Sequence, residues 1–152
     1  MSRDSQQNSR RRFLQLVAAS SAMPVLLRCS ANNSDVGPRS VGQLSAGLVG
    51  ELPVGSLRGI GNEPVCIGRD EQGVYAMTLI CPHEGCDMSN AGSTSSSGVY
   101  CACHGSRFDP EGRVTRGPAR SDLQHFEVTM DASGTLFVDT DSWVDPSTRL
   151  AV

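Results

Sequence analysis

Two short segments hold most of the cysteine and histidine residues of this chain. The chain has only three histidines and six cysteines, and six of these nine residues lie in the ranges 81–86 and 101–104. The first segment reads C-x-H-x2-C and the second reads C-x-C-H, so each segment pairs one Cys with one His and adds a further Cys. Thiolate sulfur and imidazole nitrogen are common protein ligands of zinc and iron. The spacing therefore predicts a metal centre.

Three kinds of site compete for these residues. A Cys2His2 zinc site uses a common ligand set, but its usual pattern places both Cys in one segment and both His in the other, whereas here each segment is mixed. Two disulfides in an exported domain would use four thiols and ignore both histidines. Only an iron–sulfur centre in which two His replace two Cys on one iron gives all six residues a role.

The segments CPHEGC and CACHGSRFD closely resemble those of the Rieske [2Fe-2S] proteins, whose signature is C-x-H plus C-x2-H on two facing loops. The resemblance covers roughly residues 50–140. It implies one [2Fe-2S] cluster, with one iron bound by Cys81 and Cys101 and the other bound by His83 and His104. It also implies a disulfide that ties the two loops together, as in the high-potential members of the family. That disulfide would join Cys86 and Cys103.

The same resemblance assigns roles to residues around the ligands. Ser106 would donate its hydroxyl to a bridging sulfide, and Gly85 and Gly105 would allow close backbone approach. The segment around Pro118 resembles the proline-containing loop that covers the cluster in this family. Phe108 stands where the highest-potential members carry a tyrosine that bonds a ligand sulfur, and phenylalanine cannot donate that bond.

These residues predict the reduction potential of the centre. Neutral imidazoles leave one iron easier to reduce, which places histidine-bearing centres at about -150 to +300 mV, against about -400 mV for plant-type centres. One lost charge-assisted hydrogen bond is worth about 1.5–3 kcal/mol, or roughly 65–130 mV for one electron. We therefore expect a positive but intermediate potential, between about -100 and +300 mV.

The chain after residue 44 has the short apolar runs of an all-β domain. No long helical period is present, and turn signals rich in Gly and Asp separate the runs. We predict small antiparallel sheets over residues 45–143, with a cluster-binding subdomain of two loops, and a C-terminal tail over 144–152. Ser93 to Ser97 is predicted to be a loop. The predicted strands are 63–69, 74–80, 98–101, 123–130 and 135–140.

Residues 1–31 are predicted to be a twin-arginine export signal or an N-terminal anchor. Arg10-Arg11-Arg12-Phe13-Leu14 resembles the twin-arginine motif, and an apolar stretch follows it over 13–27. A membrane span needs roughly 20 apolar residues, so this stretch has the length of a signal, and membrane association through it stays open. Residues 32–44 are predicted to be a flexible linker. The expected location is the periplasm or the outer face of the cytoplasmic membrane.

The charge of the chain argues against nucleic acid as a partner. All 13 basic residues are arginine, and outside the segment 1–31 the chain keeps 8 basic and 15 acidic residues. The net charge of this part is therefore near -7. Nucleic acid requires a basic protein face, which so acidic a chain is not expected to present. The Rieske resemblance instead implies redox proteins as partners.

The resemblance favours an electron carrier rather than a catalyst by itself. Exported members with the disulfide commonly serve quinol-oxidising cytochrome bc-type complexes, with cytochrome b- or c-type partners and quinol. The alternatives are the small subunit of an arsenite-oxidase-like molybdenum enzyme, a free periplasmic carrier and, more remotely, a structural zinc-binding module. Glu84 departs from the bc-type pattern, which has leucine after the first ligand histidine. An acid at an apolar docking tip would be costly to bury unpaired.

Overall fold

The structure, a computed structural model, describes residues 42–152; the predicted signal and nearly all of the predicted linker lie outside the described residues. The described part is all-β, as predicted, and within it no helix is long and apolar enough to cross a bilayer. Its elements are β1 (Gln43–Leu48), a 3-10 turn (Val49–Glu51), β2 (Ser56–Gly59), β3 (Val65–Asp70), β4 (Gly73–Thr78), β5 (Gly92–Ser95), β6 (Gly98–Cys101), β7 (Arg107–Phe108), β8 (Val114–Arg116), β9 (His125–Met130) and β10 (Thr135–Val144).

The strands form two antiparallel sheets. The large sheet has six strands in the order β1-β10-β9-β4-β3-β2, and the small sheet has four in the order β5-β6-β7-β8. The first Cys/His segment follows β4 of the large sheet, and the second connects β6 to β7 of the small sheet. Each sheet therefore supplies a strand that leads directly into one half of the candidate site.

The hairpins form where the turn residues predicted them. β3 and β4 meet at a turn in which the Asp70 carboxylate accepts hydrogen bonds from the Gln72 and Gly73 backbone N–H groups at 2.8 and 3.0 Å. Gly73 has φ 144°, a conformation that side chains rarely tolerate. The prediction of a loop over Ser93–Ser97 is wrong for its first three residues. Residues Gly92–Ser95 form β5, because backbone hydrogen bonds to β6 order a polar edge strand that has no apolar pattern.

The last residues of the chain pack against the large sheet. Leu150 pairs with Val74, and the two residues exchange backbone hydrogen bonds of 2.9 and 2.8 Å. The Arg149 guanidinium lies 2.6 Å from the Asp70 carboxylate and 4.4 Å above the Tyr75 ring. These contacts join the segment after β10 to β3 and β4.

Two buried residues outside the Cys/His segments are structural. Cys66 lies in β3, and burial raises the pKa of its thiol to about 12, so the side chain stays neutral. His125 in β9 is also buried, and its ring packs edge-on against Tyr75 with 5.9 Å between the ring centroids. Neither of its nitrogens makes a well-formed hydrogen bond. Burial lowers the pKa of His125, which keeps the ring uncharged.

Candidate metal centre

The two loops of the site are closed in the same way. In the first loop, the Cys81 N–H donates to the Cys86 carbonyl at 2.8 Å, and the Gly85 N–H donates back to the Cys81 carbonyl at 2.9 Å. In the second loop, the Cys101 N–H donates to the Ser106 carbonyl at 2.9 Å, and the Gly105 N–H donates to the Cys101 carbonyl at 3.0 Å. The sequence spacing alone did not predict this repetition.

A glycine occupies the fifth position of each loop for a conformational reason. Gly85 has φ 70° and Gly105 has φ 83°, both in the left-handed region that favours glycine. An added Cβ would meet no atom within 4 Å at either position, so backbone conformation rather than crowding by the protein selects glycine there. Each glycine lets its loop turn back and close on the cysteine that starts it.

The two cysteines that start the loops are fully buried. Cys81 and Cys101 are 1% and 0% exposed; Cys81 comes three residues after the end of β4, and Cys101 is the last residue of β6. Burial raises the pKa of the Cys81 thiol, while the His83 backbone and the Ser106 hydroxyl act in the opposite direction. A thiolate is costly in such a site unless a cation neutralises it, and a bound metal deprotonates its thiol ligands outright.

The two histidines lie closer to solvent than the thiols. His83 is half-buried, and the side chain of His104 is 47% exposed. Their Nδ1 atoms face each other at 3.3 Å, with the rings 77° apart. Two nitrogens bound to one tetrahedral metal at about 2.1 Å would lie about 3.4 Å apart. The observed separation therefore fits a shared metal, and the donor set of two thiols and two imidazoles fits a [2Fe-2S] cluster.

A carboxylate lies beside the histidine pair. The Glu84 carboxylate is 3.6 Å from Nε2 of His104, and its side chain is 64% exposed. The histidine nitrogens and this carboxylate lie within 4.8 Å of one another. The outer face of the candidate centre therefore carries two imidazoles and one acid.

The structure contains the disulfide expected between Cys86 and Cys103. It joins the end of the first loop to the middle of the second, across a sequence separation of 17 residues. Its sulfur atoms and that of Cys101 lie within 4.8 Å of one another. The cross-link therefore holds the two loops together beside a candidate ligand.

The neighbouring residues of the second loop connect it to the proline-containing segment. The Ser106 hydroxyl is completely buried and accepts a hydrogen bond from the Ala119 N–H at 2.9 Å. Its own proton therefore remains available for a sulfur acceptor. Phe108 is buried opposite Val99, whereas Pro118 is exposed. The Ser106–Ala119 hydrogen bond was not predicted from the sequence, because the two residues are 13 positions apart.

Comparison with known proteins establishes the family. The profile of the Rieske [2Fe-2S] domain matches residues 44–127, which is more than half of the chain. The chain belongs to the Rieske [2Fe-2S] domain family. Its cofactor is accordingly a [2Fe-2S] cluster, and the Cys86–Cys103 disulfide fits the high-potential type.

Several relatives are named as subunits of cytochrome complexes. The cytochrome b6-f complex iron-sulfur subunit of Synechococcus sp. (strain WH7803) is 31% identical over 112 residues, covering 69% of this chain and 60% of that subunit. The mitochondrial cytochrome b-c1 complex subunit Rieske of Bos taurus is 44% identical over 55 residues, covering 34% of this chain and 19% of that subunit. The chain thus spans less than two thirds of the length of either relative.

A similar solved structure is that of the cyanobacterial plasma membrane Rieske protein PetC3 from Synechocystis PCC 6803. It superposes with a TM-score of 0.48 at 23% identity, covering 62% of this chain and 97% of that chain.

We predict that the Cys86–Cys103 disulfide maintains the paired loops. Replacing both cysteines by alanine should lower the free energy of unfolding by about 3 kcal/mol, because the cross-link closes a loop of 17 residues. It should also speed the loss of visible absorption on heating. Cys66→Ala is the control, since it removes a buried thiol outside the loops. Equal rates of cluster loss in the double variant and the control would contradict the prediction.

Proposed function

We propose that this Rieske iron–sulfur protein transfers single electrons through a cluster held by Cys81 and Cys101 on one iron and by His83 and His104 on the other. The observation that supports this ligand set best is the pair of Nδ1 atoms 3.3 Å apart outside two buried cysteines. The cluster, when bound, accepts and releases one electron. In the described structure the thiols are shielded from water and the imidazoles lie nearer to it.

The residues around the ligands set the conditions for transfer. The twin hydrogen-bonded loops and the disulfide hold the donor atoms in place, which limits rearrangement when the charge of the site changes. Ser106 can donate its hydroxyl proton to sulfur, a bond that stabilises the more negative, reduced state. The half-exposed edge of His104 is the part of the ligand set that a partner can approach most closely.

We further infer that the chain is the iron–sulfur subunit of a quinol-oxidising cytochrome bc-type complex. The relatives named as subunits of cytochrome b6-f and b-c1 complexes support redox partners of the cytochrome type. A solvent-facing imidazole could accept a hydrogen bond from a quinol hydroxyl. We propose residues 45–143 as the functional domain, preceded by the export signal or anchor and linker, and followed by the tail.

Glu84 favours a second candidate function. A charged side chain beside His104 would have to be buried or paired when a bc-type partner closes over the tip, and an unpaired buried acid is costly. An exported free carrier, or the small subunit of an arsenite-oxidase-like enzyme, could instead present this acid to a polar or basic partner. Both candidates share the cluster and the one-electron role.

Export to the periplasm or to the outer face of the cytoplasmic membrane is part of the proposal. The Cys86–Cys103 disulfide supports it, because structural disulfides persist in oxidising compartments and are rare in the cytosol. The arginine pair before the apolar stretch supports the twin-arginine route.

The ligand set is tested by spectroscopy of the purified full chain. We expect two irons per chain and the visible and electron paramagnetic resonance spectra of a histidine-ligated [2Fe-2S] cluster. Cys81→Ser, His83→Ala, Cys101→Ser and His104→Ala should each abolish that spectrum. His125→Gln is the matched control, because the third histidine of the chain lies in β9. A colourless chain that binds one zinc would overturn the proposal, as would a ligand variant with an unchanged spectrum.

The midpoint potential tests the role of Phe108. We expect a value between about -100 and +300 mV for the native chain. Phe108→Tyr should raise it by roughly 65–130 mV, because a phenol hydroxyl could bond a ligand sulfur and stabilise the reduced state. The control is Phe126→Tyr, which adds a hydroxyl to a phenylalanine in the separate core of the large sheet. Potentiometric titration that gives equal shifts for both variants would contradict the assignment.

Quinol turnover separates the two candidate functions. We combine the full chain with a bc-type complex depleted of its own iron–sulfur subunit, and measure quinol-driven cytochrome reduction. For a bc-type subunit, Glu84→Leu should raise the rate roughly threefold or more, because it removes an acid from the docking tip. Glu71→Leu, in the exposed β3–β4 turn, should not. No turnover with either the native chain or Glu84→Leu would favour the second candidate.

A further inference from the structure

One row of side chains crosses the whole small sheet on its exposed face. Ser93 of β5 pairs with Tyr100 of β6, Tyr100 pairs with Arg107 of β7, and Arg107 pairs with Arg116 of β8. Side chains at paired positions point to the same face of a sheet. The opposite face is the buried one, since Val99 and Phe108 are 3% and 2% exposed. We call the exposed row the arginine face.

The arginines of this face are exposed and lack acidic partners. Arg107 and Arg116 lie directly opposite each other, an arrangement of like charges that destabilises a sheet. Among the described residues, neither has a carboxylate within 4.0 Å. The Arg107 guanidinium lies over the Tyr100 ring, 5.0 Å from its centroid. Two neighbouring guanidinium groups are therefore left with their hydrogen-bond donors free for an anion.

The nearest acids along the sequence are already engaged. Asp109 accepts hydrogen bonds from the Glu111 and Arg113 backbone N–H groups at 3.0 and 2.8 Å. Asp122 accepts from the Val114 N–H at 2.8 Å. Arg113, by contrast, has carboxylate neighbours, with the Glu111 carboxylate at 2.6 Å. Within the described part of the chain, Arg113 is thus paired with an acid, whereas Arg107 and Arg116 are not.

The face differs in sign from the rest of the described chain. Residues 42–152 contain 7 arginines and 14 acids, a net charge of -7. Two of those seven arginines stand side by side on a sheet that leads directly into Cys101 and directly out of the second loop. Such an asymmetry orients a protein in the field of a charged partner and raises the rate of productive encounter.

We propose that the arginine face docks an acidic surface of the electron-transfer partner. This rests on the proposed function, because the face belongs to the sheet that supplies Cys101 and His104. Carboxylates of the partner would accept hydrogen bonds from Arg107 and Arg116, and the exposed hydroxyl of Ser93 extends the polar row to the other edge of the sheet. Glu84, beside His104, would repel carboxylates at the tip itself, so the acidic contact lies on the sheet face.

The size of the face favours a protein over a small anion. Four neighbouring strands span about 14 Å, because adjacent strands lie about 4.8 Å apart. One inorganic ion would occupy only the adjacent Arg107–Arg116 pair, whereas a protein surface with several carboxylates can contact the row from Arg116 to Ser93. An open, mostly polar groove of about 280 Å3 has Ser93, Tyr100 and Arg107 in its lining, and Arg116 lies outside it.

The test is arginine footprinting on the full chain carrying its cluster. Phenylglyoxal modification of each arginine is followed by mass spectrometry, with and without poly-L-glutamate as a model acidic surface. We expect poly-L-glutamate to slow modification of Arg107 and Arg116 about fivefold at low salt, and not at high salt. Arg113 is the internal control and should change less than twofold. Equal protection of all three arginines would overturn the proposal.

A variant pair tests the same face by affinity. Arg107→Gln/Arg116→Gln should weaken binding of poly-L-glutamate about fivefold, and Arg113→Gln should weaken it less than twofold. Inorganic phosphate that competes at matched ionic strength would overturn the proposal in favour of a small-anion site. Phosphatidylglycerol vesicles that protect the two arginines better than poly-L-glutamate would overturn it in favour of a membrane contact.

The visible spectrum of the same samples separates the two proposals. If the native chain lacks the cluster spectrum but the two arginines are protected, the proposed function is wrong and the proposed docking role of the arginine face is supported. If the spectrum is intact and the arginines are unprotected, the docking role of the arginine face is wrong and the proposed function is supported.

Discussion

The site depends on one backbone arrangement that occurs twice. In each loop a cysteine N–H reaches the carbonyl five residues ahead, and a glycine N–H four residues ahead returns to the cysteine carbonyl. This closure needs a residue with positive φ at Gly85 and Gly105, and it buries the backbone of Cys81 and Cys101. Because backbone hydrogen bonds fix the main chain of each cysteine, only the short side chain remains free to move the sulfur atom.

The same loop closure places the cysteines and the histidines in different environments. The cysteines that begin the loops lie inside, and the histidines further along each loop lie nearer to solvent. With the proposed ligand set, the sulfur side of the cluster would be shielded from water and the nitrogen side would be reachable by a partner. The Cys86–Cys103 disulfide then fixes one loop against the other, which a pair of short loops could not achieve by backbone hydrogen bonds within each loop.

Charged side chains are distributed unevenly around this centre. An acid, Glu84, stands beside the exposed histidine, while Arg107 and Arg116 lie together on the small sheet. Neither feature is needed for the fold: the arginine pair opposes it slightly, and the exposed acid makes only a long contact. Groups that add nothing to stability are available for recognition of a partner, which is the role proposed for the arginine face.

The all-β class and the β3–β4, β7–β8 and β9–β10 hairpins follow from the sequence, because turn residues are local signals; the spacing of the cysteines and histidines, also a local signal, predicts the candidate centre. Strand β5 could not be predicted, since its order comes from pairing with β6 rather than from any apolar pattern in Gly92–Ser95. The bond from the Ala119 N–H to Ser106 and the row from Ser93 to Arg116 also required the folded chain. Register between strands decides which distant residues become neighbours, and a single sequence carries no direct record of that register.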